Sequence, residues 1–216
     1  MDSTSETKMP MRGVIYALLS SILFGLTTPF AKTLLYDIEP ILLAGLFYLG
    51  SGIGLSLYLL CTRNTKLAKQ EASLRRADLP WLCGAIAAGG IIAPVFLMMG
   101  LATTKASAAS LFLNLESVFT ALIAWFVFKE NFDRRILLGM IVIVLGGILL
   151  TVDRSAALSL STGLLLVGAA CLGWAIDNNL TRKISSANPA QIACFKGLAA
   201  GVTNVSLALG IGAQLP

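Results

Sequence analysis

Seven stretches of this chain are long and apolar enough to be helices that cross a lipid bilayer. They run approximately over 13–31, 40–60, 80–101, 106–128, 136–152, 163–180 and 190–212, each near the ~20 residues that a hydrocarbon core roughly 30 Å thick demands of a helix. A barrel strand would alternate apolar and polar positions over about ten residues, and these runs do not alternate. Lipid offers no water to satisfy main-chain N–H and C=O groups, so each run must close its hydrogen bonds within itself. The expected fold class is all-α: a polytopic membrane helix bundle of about seven transmembrane helices. Composition agrees, since 56% of the 216 residues are hydrophobic, 12% are charged and the mean hydropathy is +0.83. Such values leave too little polar surface for a water-soluble domain.

The opening segment MDSTSETKMPMR is short and polar, and the apolar run behind it has neither the short core nor the small-residue site of a cleaved signal peptide. Residues 1–11 are therefore expected to be a cytoplasmic N-terminal tail. Cys61 and Cys83 fall at span ends and Cys171 and Cys194 within spans, which suggests apolar fillers and no disulfide framework. Orientation follows from Lys and Arg. With a cytoplasmic N-terminus, that side holds twelve of them: Lys8, Arg12, Arg63, Lys66, Lys69, Arg75, Arg76, Lys129, Arg134, Arg135, Arg182 and Lys183. The other side holds Lys32, Lys105 and Arg154, and this asymmetry sets the expected topology in an inner (cell) membrane. The +5 net charge is thus dispersed over short loops, with no basic patch interleaved with aromatics, and nucleic acid is not an expected partner.

Shifting the chain by about 150 residues aligns GVIYALLSSILFGLTTPFAKTLL, from Gly13, with GLLLVGAACLGWAIDNNLTRKIS, from Gly163. Phe24-Gly25 meets Trp174-Ala175, Lys32 meets Arg182, and the turns Glu39-Pro40 and Asn188-Pro189 nearly coincide. A unit of five spans reverses direction on repetition, so the second unit would enter the bilayer from the opposite side. Inverted repeats of this kind are a transporter architecture.

The run LLSSILFGLTTPFAKTLL and, above all, GLATTKASAASLFLNLESVFTALIAWFVFKENFDRRILLGMIVIVLGGILL, from Gly100 to Leu150, resemble the EamA repeat of the drug/metabolite transporter superfamily. The similarity lies in a closely joined span pair, Leu115-Glu116 ahead of the next apolar run, Glu130 at the end of that run, and a glycine-rich fifth span. It implies inverted five-helix repeats: residues 12–153 as a first EamA repeat and 162–216 as the start of a second. Members of the family generally carry two repeats, so transferring the first repeat's length onto Gly163 predicts about 86 further residues and a truncated transporter. Ser117 departs from the proline that the family often has after the glutamate, which predicts a less kinked fourth helix.

Few polar residues inside the spans need an account, and each costs about 2.5–3.5 kcal/mol if it stays charged at the bilayer centre. Glu116 falls near the middle of the fourth span. On a helix of 3.6 residues per turn, Lys105, Ala109, Glu116 and Thr120 form one stripe, and Ser107, Ser110, Asn114 and Ser117 form another of small and polar side chains. One stripe suits a cavity wall and the other close helix packing. Glu116 then reads either as a titratable group facing a cavity or as a carboxylate fixed by hydroxyls between helices. Asp177 lies about 7.5 Å of helix from the rim marked by Arg182, and Lys196 about 9 Å beyond Ala190 on the next helix. An ion pair between them is expected. Asp177, Asn178 and Asn179 align with Thr27, Thr28 and Pro29, so both first helices carry a polar, helix-weakening triplet, a pointer to a transport site or gate. Trp174, one turn before Asp177, reads as bordering a cavity or as packing.

The candidate substrate- or ion-binding residues are therefore Thr27, Thr28, Asn114, Glu116, Trp174, Asp177, Asn178 and Lys196. The expected function is secondary transport or export of a small organic solute or metabolite by alternating access. The partners implied are that solute, a coupling proton and the lipid bilayer, and a homodimer is allowed. No cofactor is expected, and neither a catalytic nor a metal site: the chain has no histidine, no GxxxxGK[ST] pattern and no metal-like cysteine spacing. An embedded enzyme would need paired groups, whereas Glu116 and Asp177 read as lying at different depths. A non-transporting scaffold would use the same polar groups only to join helices.

Overall fold

The computed structural model describes residues 11–64, 72–131, 133–151 and 161–215. Lys8, Lys66, Lys69, Arg154 and most of the N-terminal tail and inter-repeat boundary expected from the sequence lie outside them. Seven helices follow in order: α1 (Met11–Leu34), α2 (Pro40–Thr62), α3 (Arg76–Thr103), α4 (Ala106–Phe126), α5 (Arg134–Thr151), α6 (Thr162–Lys183) and α7 (Pro189–Gly210). Among the described residues there is no strand, only an isolated bridge between Ala72 and Ala187. Six of the seven are long and apolar enough to cross a membrane. The fifth span is represented by α5, an 18-residue apolar helix that opens on Arg134 and Arg135 and whose continuation lies outside the described residues.

Three helix starts have local causes. Glu39 accepts from Leu42 N–H at 3.2 Å and is followed by Pro40, and Asn188 accepts from Gln191 N–H at 3.0 Å and is followed by Pro189. In both, a side-chain oxygen takes an orphan donor while proline fills a position whose N–H would have no acceptor. Ser161 caps α6 by accepting from Leu164 N–H at 3.3 Å. At its other end, α6 carries Arg182 and Lys183 in the last turn, where positive charge complements the helix dipole.

The interruptions fall where the sequence reading did not put them. Helix α6 runs unbroken through Asp177, Asn178 and Asn179, and α1 through Thr27, Thr28 and Pro29. Instead α3 widens into a π-helical segment over Ile86–Ile92. Helix α4 breaks between Phe112 and Leu115, where the bonds Asn114 N to Leu111 O and Glu116 N to Leu113 O tighten the chain. The fourth span is thus interrupted even without a proline at 117. The break moves the main-chain donors one residue along and deprives Ser110 and Phe112 carbonyls of their usual partners. Asn114 Nδ2 reaches Ser110 O at 3.4 Å and Leu111 O at 3.0 Å, and the Cys171 thiol donates to Phe112 O at 3.4 Å. Cys171 is thus more than a filler. All four cysteines are free.

The core gathers Ala31 of α1, Leu43 and Ala44 of α2, Leu97, Met98 and Leu101 of α3, Ala109 and Leu113 of α4, and Val167, Ala170 and Cys171 of α6. Helix α1 joins it only near its end, where Lys32 Nζ donates to Leu101 O at 2.7 Å and Ala102 O at 2.9 Å. A cation there satisfies carbonyls in the last turn of α3 and sits at the negative end of its dipole. Helices α2 and α7 pack tightly against each other. A Cβ on Gly201 would stand 2.5 Å from Leu49 N, and one on Gly197 would stand 2.7 Å from Gly52 N. Small residues permit this approach where lipid gives no hydrophobic drive to helix association. Because Gly52 meets Gly197 and Gly45 meets Val205, the two helices run antiparallel.

This contact yields a stability prediction. Gly201→Val should lower the stability of the detergent-solubilised protein by about 1–3 kcal/mol, the cost of forcing extra atoms into a packed contact. Gly50→Ala, on the same helix pair with nothing within 4 Å of the new Cβ, should leave the thermal midpoint unchanged. Equal midpoints for the two variants would remove the glycine contact as the basis of α2–α7 packing.

Candidate functional site

The site begins with a proline. Pro94 has no N–H to offer the carbonyls four and five residues back, Gly90 and Gly89, and the π-helical segment ends just ahead of it. Both carbonyls turn to side chains of other helices. Gly89 O accepts from Tyr48 of α2 at 2.7 Å and from Trp174 Nε1 of α6 at 3.0 Å, and Gly90 O accepts from Asn204 Nδ2 of α7 at 3.2 Å. Trp174 Nε1 is also 3.4 Å from the Tyr48 hydroxyl. Three helices therefore converge on two glycine carbonyls of a fourth. Single π turns inside α-helices are frequent at functional sites.

One turn along α6, Asp177 faces the same layer. Lys196 Nζ lies 2.6 Å from both of its carboxylate oxygens, and Thr181 Oγ1 donates to Oδ1 at 2.8 Å. The two charged side chains are only 17% and 7% exposed, so this is an ion pair withdrawn from solvent. The contact expected from the sequence is present. Gly89 is what makes room for it, because a Cβ at that position would collide with the carboxylate.

Two cavities meet at this layer. One, of about 420 Å³, opens towards the α6–α7 hairpin and is lined by Tyr48, Ser51, Thr181, Ser185 and Lys196 among others. The second, of about 510 Å³, extends towards the opposite end, where α2 begins, and is lined by Phe24, Thr27, Phe30, Phe47, Met98 and Trp174. Tyr48 and Ser51 border both. The first is rich in hydroxyls with a lysine; the second is largely aromatic and aliphatic.

Glu116 and Asn178 lie on another side of α6. Asn178 Nδ2 donates to Glu116 Oε1 at 2.8 Å and lies 3.4 Å from Thr120 Oγ1, while Asn179 Nδ2 donates to Thr120 O at 3.1 Å and Ala175 O at 2.9 Å. Arg182 pairs with Glu130, and Lys183 Nζ sits 4.8 Å above the Phe128 ring. These contacts lace α4 to α6 along a shallow cleft of about 330 Å³ bordered by Glu116, Ser117, Thr120 and Asn178. The depth estimate from the sequence is corrected here. Glu116 contacts the residue next to Asp177, so the two carboxylates are level, on different faces of α6.

The sequence candidates thus divide into groups. Thr27, Trp174, Asp177 and Lys196 border the two cavities or the layer between them, and Thr28 is buried and lines neither cavity. Glu116 and Asn178 form the α4–α6 seam. Asn114 stands exposed at the break in α4, bonded to its own helix, and the stripe Ser107, Ser110, Asn114 and Ser117 is exposed along its length rather than packed. Tyr48, Gly89, Gly90, Thr181 and Asn204 are additions from the structure. Asn204, an amide inside a span, and the pair Gly89-Gly90 shortly before Pro94 were signals in the sequence. Among the described residues no cluster of His, Cys, Asp or Glu could hold a metal ion.

Comparison with known proteins agrees with this architecture. Residues 11–152, more than half of the chain, match the EamA-like transporter family. The chain is also similar to a protein of Methanothermobacter thermautotrophicus described as an uncharacterized transporter, with 28% identity over 227 residues. That alignment covers 94% of this chain and 64% of the relative, so the chain spans less than two thirds of the relative's length. With its several membrane-spanning helices and its match over 11–152, the chain belongs to the EamA-like transporter family, a family of membrane transporters and not of enzymes.

Proposed function

We propose that this protein moves a small organic solute across an inner membrane by alternating access, as a secondary transporter whose first five helices and last two belong to inverted repeats. The observation that carries the reading is the pair of cavities bordered in common by Tyr48 and Ser51. A solute site reachable from either end needs two half-cavities and a layer that closes one while the other is open. Tyr48, Trp174 and the Gly89 carbonyl supply that layer, and Asp177 with Lys196 ties α6 to α7 beside the hairpin-end cavity. An aromatic cavity and a hydroxyl-lined cavity with a lysine together suit a solute with an apolar part and a polar or charged group. The Lys and Arg asymmetry supports a cytoplasmic N-terminus with the hairpin end on the same side. Repetition of the Glu39-Pro40 cap geometry at Asn188-Pro189 supports the internal correspondence. Glu116, the candidate for a coupling proton, faces the α4–α6 cleft and not the two cavities.

Losing one member of a buried ion pair leaves the other charge unpaired in a low dielectric, at a cost of about 3–5 kcal/mol, whereas exchanging the two restores the attraction. Asp177→Lys and Lys196→Asp should each abolish solute flux in proteoliposomes, and the double exchange should recover at least part of it. A double variant no better than the worse single would dissolve the gate and leave Asp177 to be sought as a solute ligand.

Gly89→Ala tests the same layer from α3. It should displace the Asp177 carboxylate and reduce flux by an order of magnitude or more, roughly the rate effect of 1.4 kcal/mol, while Gly54→Ala, with open space around the new Cβ, should transport normally. Glu116→Gln keeps a hydrogen-bond acceptor for Asn178 but cannot carry a proton. Flux with an unaltered pH profile in this variant would eliminate Glu116 as the coupling site.

A further inference from the structure

At the hairpin end of the bundle, α3 and α7 begin side by side. The main chain fixes this: Asn188 N–H donates to Ala72 O at 2.8 Å, just before both helices start. Between their first turns lies a cleft of about 360 Å³ lined by Arg75, Arg76, Leu79, Leu82, Gln191 and Phe195 among others. Its two chemistries are separated along the helix axis. Arg75 and Arg76, both exposed, stand where the apolar span begins, and Gln191 flanks them. Leu79, 49% exposed, and Phe195, 52% exposed, lie further in, above the buried Leu82. The nearby carboxylate, Asp78, is engaged with Arg75 main-chain N–H at 2.9 Å.

Other cations of this end are placed differently. Arg182 is paired with Glu130, Lys183 lies over Phe128, and Arg134 and Arg135 border none of the cavities described above. A groove with two guanidinium groups at headgroup level and an exposed leucine and phenylalanine below them matches one kind of molecule, an anion attached to a hydrocarbon chain. Arginine is suited to the anion because its planar fork meets phosphate oxygens two at a time. Basic pockets between membrane helices bind anionic lipid headgroups by the same physics.

We propose that the α3–α7 cleft is a binding site for an anionic phospholipid of the surrounding bilayer, with the phosphate held by Arg75 and Arg76 and an acyl chain laid over Leu79 and Phe195. The site is separate from the two solute cavities, and the proposal stands whether or not the gate described above is correct. A lipid seated there braces the starts of two helices that border different parts of the central layer, α3 through Gly89 and α7 through Lys196.

The test is native mass spectrometry of the detergent-purified protein titrated with dioleoylphosphatidylglycerol, dioleoylphosphatidylcholine or inorganic phosphate. Each arginine contributes about 1 kcal/mol near an anionic headgroup, roughly a fivefold change in affinity. Arg75→Gln with Arg76→Gln should therefore weaken phosphatidylglycerol binding about 25-fold. Arg134→Gln with Arg135→Gln, an equal loss of charge, should change it less than about twofold. Arg75→Lys with Arg76→Lys keeps both charges but loses the forks and should bind between the parent protein and the glutamine pair, which provides a folded comparison if the glutamine pair does not fold. Equal weakening by the two glutamine pairs would overturn the proposal in favour of diffuse surface charge. Equal binding of phosphatidylcholine, or displacement of the lipid by inorganic phosphate, would overturn it as well, because the cleft would then read either an acyl chain or an anion alone.

Discussion

Every main-chain carbonyl that leaves a helix's own ladder inside a membrane must find a donor in another part of the protein, because the lipid has none to give. Much of this structure can be traced to that requirement. Pro94 withdraws a donor from Gly89 and Gly90, and Tyr48, Trp174 and Asn204 converge from three other helices to replace it. The tightened turn at Asn114 strips donors from Ser110 and Phe112, and an amide and a thiol supply them. The last turn of α3 is closed by Lys32 of α1. Each break in a helix is also a point where helices are joined.

The same requirement explains why polar side chains cluster on α6. That helix packs between α3 and α4 and is reached from α7 by the Lys196 side chain, so its polar residues can be satisfied in three directions. Trp174 reaches α3, Asp177 reaches Lys196 of α7, and Asn178 and Asn179 reach α4. Residues adjacent in sequence are turned about 100° apart on a helix, and that rotation alone separates the ion pair from the amide seam. Polar contacts between membrane helices are individually weak, often about 0.6 kcal/mol. Joined through Gly89, Tyr48 and Trp174, the contacts at the central layer nonetheless hold four helices in one arrangement. Under the alternating access proposed above, such an arrangement is exchanged for another of similar free energy, and weak contacts allow it.

Sequence by itself determined the membrane-spanning class, the approximate limits of the helices and the family resemblance. Those properties are set by apolar length, by caps such as Glu39-Pro40 and Asn188-Pro189, and by local motifs, all of which act over a few residues. It also determined that Asp177 and Lys196 could meet, because consecutive helices joined by a short hairpin leave few alternatives for two charges at equal depth. Only the tertiary structure decided where the helices break and what the breaks serve. A triplet such as Asp177-Asn178-Asn179 weakens an isolated helix, but all three side chains found partners on neighbouring helices, Asn179 beside a bond to Ala175 O of its own, and α6 stayed whole. Pro94 and the pair Gly89-Gly90 passed as ordinary span residues, since the value of a freed carbonyl depends on whether Tyr48, Trp174 and Asn204, far away in sequence, arrive to bond it. The level placement of Glu116 and Asp177 was likewise hidden, because depth counted along single helices ignores the offset between neighbours, which packing alone fixes.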